Sequence, residues 1–413
     1  MRKIIASLDI GESEIKLIVG EISKEKLNIL ACLTVASRGI KQGFVVNPES
    51  AIESLEEVFE KAQITLGIRP DKVVVTVPSN GFECFLSEGY TSITSENKII
   101  NGQDIIKAMQ ATVVKKIDET KELVSILPTK FVIDDTDVVE NPLNHKGDKL
   151  YIKAVVVTVP RKNVRAILRC LERIKVKVVD VTLGSLGDYY QFKNKNTESL
   201  IGAIVNIGAS KTNVAIFNKG ILTNCEVIDM GGNHVDNDLS YVYKVNKDDA
   251  LYIKETLCLA DLNMALPTES VVLEDKNKEK IKINQYDSSE IVTSRLEEIL
   301  NLVKKQINLL TKKQISYIII TGGVTETADF KYLVEKIFNN ARIGNVKEIG
   351  ARHNKYATAL GLIKYYDSRL RLINKDFSIF SVEEQEELSG MNKKVNISEN
   401  SILGKLFGYF FDN

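Results

Sequence analysis

Two apolar periods alternate along the first half of the chain. Lys3–Leu8, Ile15–Glu21 and Leu27–Val35 carry the short apolar runs of β-strands. From Pro48 the period changes to that of a helix. Ile52, Leu55, Val58, Phe59 and Ala62 share one face, and Gly67 stands where a helix C-terminus favours glycine. Lys72–Val77 is a continuous apolar run, as expected of a buried parallel strand. A strand at Phe82–Ile93, a helix at Gly102–Val114 and strands at Leu123–Ile133 and Leu150–Val159 form a group closed by Pro160. It reads as an insertion. A helix at Asn163–Ile174 and a strand at Val176–Val181 then return to the first unit. Such alternation predicts an α/β architecture.

The second half opens like the first. Leu200–Phe217 reads as a hairpin, followed by a polar, helix-rich stretch from Gly231 to Lys312. Within it lie a lysine-rich hairpin, Val271–Ile283, and a long amphipathic helix, Ser289–Leu310. A buried strand at Ile315–Ile320 runs into Thr321-Gly322-Gly323, and helices follow at Phe330–Phe338 and Tyr356–Tyr366. From Asn374 to Asn400 the pattern dissolves into Glu, Ser, Asn and Gly, which reads as a solvated linker. The last residues become apolar again. On a helical wheel Ile402, Leu403, Leu406, Phe407, Tyr409, Phe410 and Phe411 share one arc, with Gly404, Lys405, Gly408 and Asp412 opposite. That segment is too short to cross a bilayer and suited to lie in its interface. Docking on its own protein or on a partner is the competing reading.

Composition narrows the function classes. With 413 residues the chain should hold two or more domains. Net charge is zero, so no general basic field argues for nucleic acid. The five cysteines are scattered, with no Cys-x-x-Cys pair, and the three histidines are isolated. Neither set suggests a disulfide framework or a metal site. No leader is expected, because Met1-Arg2-Lys3-Ile4 runs straight into a strand.

The candidate chemistry sits at a duplication. Leu8-Asp9-Ile10-Gly11-Glu12-Ser13 and Val205-Asn206-Ile207-Gly208-Ala209-Ser210 both read as strand end, polar residue and glycine turn, each followed by a second strand. Backbone N–H groups in such turns make an anion site, so two facing turns suit a phosphate tail. Two ordinary hairpins are the alternative.

The two hairpins, Thr321-Gly322-Gly323 and Ala357-x-Ala359-Leu360-Gly361 resemble, in order, the phosphate, adenosine and connecting motifs of the actin, sugar-kinase and heat-shock-70 superfamily. More narrowly, Ser37-Arg38-Gly39-Ile40-Lys41-Gln42-Gly43, the inserted unit, Gly231-Gly232-Asn233-His234-Val235-Asp236-Asn237-Asp238 and the linker with its apolar tail resemble the FtsA family of bacterial actin-like division proteins. The resemblance covers essentially the whole chain. It implies an actin-like fold of two lobes around a nucleotide cleft. One core subdomain would comprise residues 1–78 and 161–199, with the insertion at 79–160. The second would comprise 200–228 and 313–373, with an FtsZ-binding subdomain at 229–312. A flexible linker (374–400) and a membrane-targeting helix (401–413) would follow.

By the same resemblance, Asp9, Gly11, Glu12, Ser13 and Lys16, then Gly208, Ala209, Ser210, Lys211 and Thr212, then Lys254, Gly322, Gly323 and Val324 would hold ATP. Asp9 and Asn206 would serve Mg²⁺. The implied job is to polymerise at the cytoplasmic face of the membrane at the division site. The protein would bind the FtsZ C-terminal peptide and meet anionic lipid and other division proteins. Several positions depart from the motifs. Glu12 replaces a small or hydroxyl residue, Asn206 an aspartate, Ala209 and Ser210 glycines, Lys211 a threonine and Leu251 a glutamate. Phosphoryl transfer depends on positioned charge, so these changes imply binding with weak or absent hydrolysis. A small-molecule kinase would need a catalytic aspartate that the motifs do not offer. A pilus- or secretion-assembly relative would share the core.

Overall fold

The computed structural model describes residues 3–114 and 117–391. Its plan is a duplication. In the first sheet, Lys3–Ile10, Glu14–Ser23 and Lys26–Ala36 form an antiparallel meander, and Lys72–Val77 and Lys177–Leu183 extend it as parallel strands beside Lys3–Ile10. In the second sheet, Ile201–Ile207, Thr212–Asn218 and Ile221–Ile228 form the meander, extended by Tyr317–Thr321 and Ala341–Ile343. The strand order is the same in both.

Period-two alternation explains how the second sheet binds the molecule together. Ala203, Val205, Ile207, Val214, Ile216, Ile318 and Ile320 face one core, with the long helix Gln285–Leu310. The intervening Ile204, Ala215, Phe217 and Ile319 face the other, which also holds the first sheet and its helices. Both faces are buried, so these strands read as nearly continuous apolar runs.

Local signals hold where caps are strong. Asn47 caps the helix Pro48–Leu66 by accepting from the Ser50 N–H, Pro48 occupies its first turn, and Gly67 closes it in the left-handed region at φ 76°. The insertion has the expected strand-helix-strand-strand order: Glu83–Ser92, Gly102–Ala111, Lys121–Ile133 and Lys149–Pro160, with a short added strand at Asp137–Val139. It has its own core around Ile100, Ile105, Phe131, Leu150 and Ile152.

Three features differ from the sequence reading. Ile221–Ile228 is a strand, although its Thr, Asn and Glu break the apolar run. Gly184–Phe192 is a helix that glycine content obscured. The linker starts later than Asn374. Ile379 and Phe380 are buried in the first core, the Ile379 N–H donates to the Ile4 carbonyl, and Val382–Met391 is helical. An isolated apolar pair in a polar stretch has no period to reveal it. The tail positions Ile402, Leu403, Leu406, Phe407, Phe410 and Phe411 lie outside the described residues.

Candidate nucleotide cleft

Corresponding polar residues end the central strands of both sheets. In the first, Asp9 pairs across the hairpin with Lys16 and lies beside Thr76. In the second, Asn206 pairs with Asn213 and lies beside Thr321. Between the two strand ends opens a cleft of about 1190 Å³. Asp9, Gly11, Glu12, Ser13 and Lys16 line it from one side, and Asn206, Gly208, Ala209, Ser210 and Lys211 from the other. Lys254, Gly322, Gly323 and Val324 also line it. Thr212 does not: it is fully buried, and its hydroxyl donates to the Met230 carbonyl at 2.8 Å.

The first turn is built by hydrogen bonds. The Gly11 N–H donates to the Glu14 carbonyl at 3.0 Å, and a Cβ at Gly11 would lie 2.7 Å from that oxygen. Asp9 accepts from the Thr76 hydroxyl at 3.3 Å and from Lys16 Nζ at 3.4 Å. The second turn is locked from behind by the helix Gly232–Tyr243. Its Gly232 and Asn233 N–H groups donate to the Gly208 and Ala209 carbonyls at 3.0 and 2.7 Å. A Cβ at Gly231 would come within 2.4 Å of the Gly208 oxygen, and one at Gly232 within 2.9 Å of Val324 Cγ2. Gly322 is in the left-handed region at φ 97°, and a Cβ there would meet the Ile207 carbonyl at 2.4 Å.

The lobes touch across the opening. Lys355 pairs with Glu14 at 3.0 Å, Ser79 donates to Asn213 Oδ1 at 3.0 Å, and Lys211 reaches Asn80 Oδ1 at 3.2 Å. Burial lowers the Lys211 pKa, against the opposing pull of Asp229 and Glu12. Lys254 forms a 2.6 Å ion pair with Asp236. Leu251 and Glu255, four residues apart, both face the cleft, so a carboxylate stands one turn beyond the position where the motif has one.

Sequence reasoning missed Asp188. It lies on the unpredicted helix Gly184–Phe192 and is 1% exposed. Asn206 Nδ2 donates to it at 2.9 Å and the Thr358 hydroxyl at 2.7 Å. Burial, with Asp9 nearby, pushes its carboxyl up to about 7, although both hydrogen bonds favour the charged form. Asn206 therefore turns its amide nitrogen inward, toward Asp188 and Thr358.

Among the described residues no group of three or more His, Cys, Asp or Glu could hold a metal ion. This donor set fits Mg²⁺ arriving with phosphates and meeting one protein carboxylate, Asp9, rather than a protein cage.

Comparison with known proteins agrees with this architecture. The family model "Cell division protein FtsA" matches residues 203–361, and "SHS2 domain inserted in FTSA" matches residues 79–158. "Cell division protein FtsA" of Bacillus subtilis is 28% identical over 386 residues, covering 92% of this chain and 88% of its own length. The protein of the same name from Borreliella burgdorferi is 27% identical over 420 residues, covering 99% and 98%. Among solved structures, the "PilM-PilN type IV pilus biogenesis complex" superposes with a TM-score of 0.57 at 14% identity, covering 89% of this chain and 98% of its own. MreB5 of Spiroplasma citri bound to ADP gives 0.56 at 13%, covering 90% and 99%. These structural likenesses show the actin-like fold. The matched core, the matched insertion and the near full-length relatives place the chain in the FtsA family of actin-like cell-division proteins.

Proposed function

We propose that the chain is a nucleotide-dependent membrane scaffold of the division apparatus. It binds ATP with Mg²⁺ in the cleft, polymerises at the cytoplasmic face of the membrane, and tethers FtsZ filaments through their C-terminal peptide. The observation that carries the nucleotide reading is the pair of glycine turns facing each other across the cleft. Lys16 and Lys211 flank them, and Gly322-Gly323 offers bare backbone beside them. Solved neighbours of the same fold hold ADP and AMPPNP. Asp9 would hold the water shell of Mg²⁺, and the metal would neutralise the phosphates. Hydrolysis is weak, because the amide of Asn206 carries no charge to organise water and donates to Asp188.

The membrane reading rests on the tail sequence. Ile402, Leu403, Leu406, Phe407, Phe410 and Phe411 follow a polar stretch at spacings that would share one face of a helix. Among the described residues no helix is long and apolar enough to cross a bilayer. Each tail binds weakly, and a filament of many tails binds tightly through effective concentration. The test is co-sedimentation with anionic liposomes and FtsZ, comparing the full chain with one cut after Asn400, each with and without ATP. The full chain should carry FtsZ to lipid and the shortened chain should leave both in solution. Unchanged pelleting of the shortened chain would overturn the tether.

A further inference from the structure

One carboxylate joins three elements at the mouth of the phosphate turns. Glu12 Oε2 accepts from the Ser210 hydroxyl of the opposite turn and from the Gln42 N–H, each at 2.5 Å. Gln42 lies at the tip of the hairpin Ile40–Lys41/Phe44–Val45, where Gln42 and Gly43 take φ of 49° and 76°. The surroundings favour an anion. Lys211 lies across the cleft, held by Asn80 and over the Phe44 ring at 5.3 Å, and Lys16 lies behind the first turn. Among the described residues the N–H groups of Glu12, Ser13, Ala209 and Ser210 donate to no protein acceptor. Glu12 thus places a negative charge of the chain's own where the two turns are arranged to receive one.

Resting on the nucleotide reading above, we infer that Glu12 sets the preference among nucleotides, holding the cleft in favour of a nucleoside diphosphate over a triphosphate. A base and ribose against Gly322-Gly323 direct the phosphates toward the turns, so the last group of a triphosphate reaches deepest, between Gly11-Glu12 and Ala209-Ser210. There it must displace Glu12 from Ser210 and Gln42 and remain beside its charge. A diphosphate ends short of the bridge and leaves it made. Because Glu12 also holds Gln42, a triphosphate frees the Ile40–Val45 hairpin, and a diphosphate does not.

The test is fluorescence anisotropy with labelled ADP and ATP in Mg²⁺, using the full chain and the variants Glu12→Gln and Glu12→Ser. Glu12→Gln keeps an acceptor for Gln42 and Ser210 and removes only the charge. The native chain should bind ADP more tightly than ATP. Both variants should gain about tenfold in ATP affinity with ADP changed by less than about threefold, and the gain should shrink in high salt, as a charge effect must. Equal shifts for both nucleotides, or a salt-independent gain, overturn the role of Glu12 and leave nucleotide binding standing. Binding of neither nucleotide by any of the three proteins, each with an unaltered melting transition, overturns the nucleotide reading itself.

Discussion

Asp188 and Asn206 show where the two copies of a duplicated motif diverge. The sequence aligns Asn206 with Asp9, and the expected carboxylate is missing there. Behind Asn206 stands a carboxyl from a different helix, Asp188, bonded to it and buried. Nothing in the sequence marks Asp188, because its partners Asn206 and Thr358 lie 18 and 170 positions away. Its titration predicts a pH effect. An unfolded aspartate ionises near 3.8, and burial raises the native value to about 7. The folded chain therefore keeps this proton to higher pH. The associated stability is fully present below about 3.8 and is lost as pH rises through about 7. In chelator, denaturant unfolding at pH 5 and pH 8 should show the native chain losing about 2 kcal/mol more than Asp188→Asn. Equal losses would show that Asp188 ionises normally in the fold.

Among elements, strands were more legible than the joints between them. Lys72–Val77 and both glycine-turn hairpins follow from apolar runs that burial on two faces requires. Ile221–Ile228 was not legible, because one side of that edge strand is polar. The helix Gly184–Phe192 is hidden by its glycines, of which Gly187 is required by packing. It crosses Ala357–Leu372 so closely that a Cβ on Gly361 would lie 1.7 Å from the Gly187 carbonyl oxygen, and one on Gly187 2.7 Å from the Thr358 oxygen. In the sequence Gly361 reads as part of a connecting motif, and its partner at 187 follows only from the crossing. Thr358 and Asp188, which sit at this joint, reach the cleft through it. Gly361→Ala should therefore destabilise the fold by about 3 kcal/mol through overpacking, measured by denaturant midpoint. An exposed helical glycine would instead gain stability on the same change. A neutral or stabilising result would mean that the helices can separate freely.

At the scale of the whole molecule, the duplication places one glycine turn on each lobe, and polar contacts span the opening. Lys355–Glu14 and Ser79–Asn213 join the lobes beside the cleft, while Tyr189 stacks on Phe217 at 4.4 Å behind it. The facing of the turns was legible from their repetition. The pairs that bridge them were not, since Lys355 and Glu14 are 341 positions apart. A polyphosphate that engages both turns binds only when both lobes are folded and apposed, so it should stabilise them as one unit. A ligand at about 100 times its dissociation constant adds about 2.7 kcal/mol. Mg²⁺ with ADP should then raise the melting temperature in a single sharpened transition. In Asp9→Asn the rise should no longer depend on Mg²⁺, if Asp9 holds the metal's water shell at the first turn as proposed above. Gly322→Ala should abolish the rise altogether, since its Cβ would press on the Ile207 carbonyl at a backbone angle that favours glycine. If nucleotide raised only one of two separate transitions, the ligand would be held by one lobe alone. The cleft would then be a seam between independent units instead of a shared site.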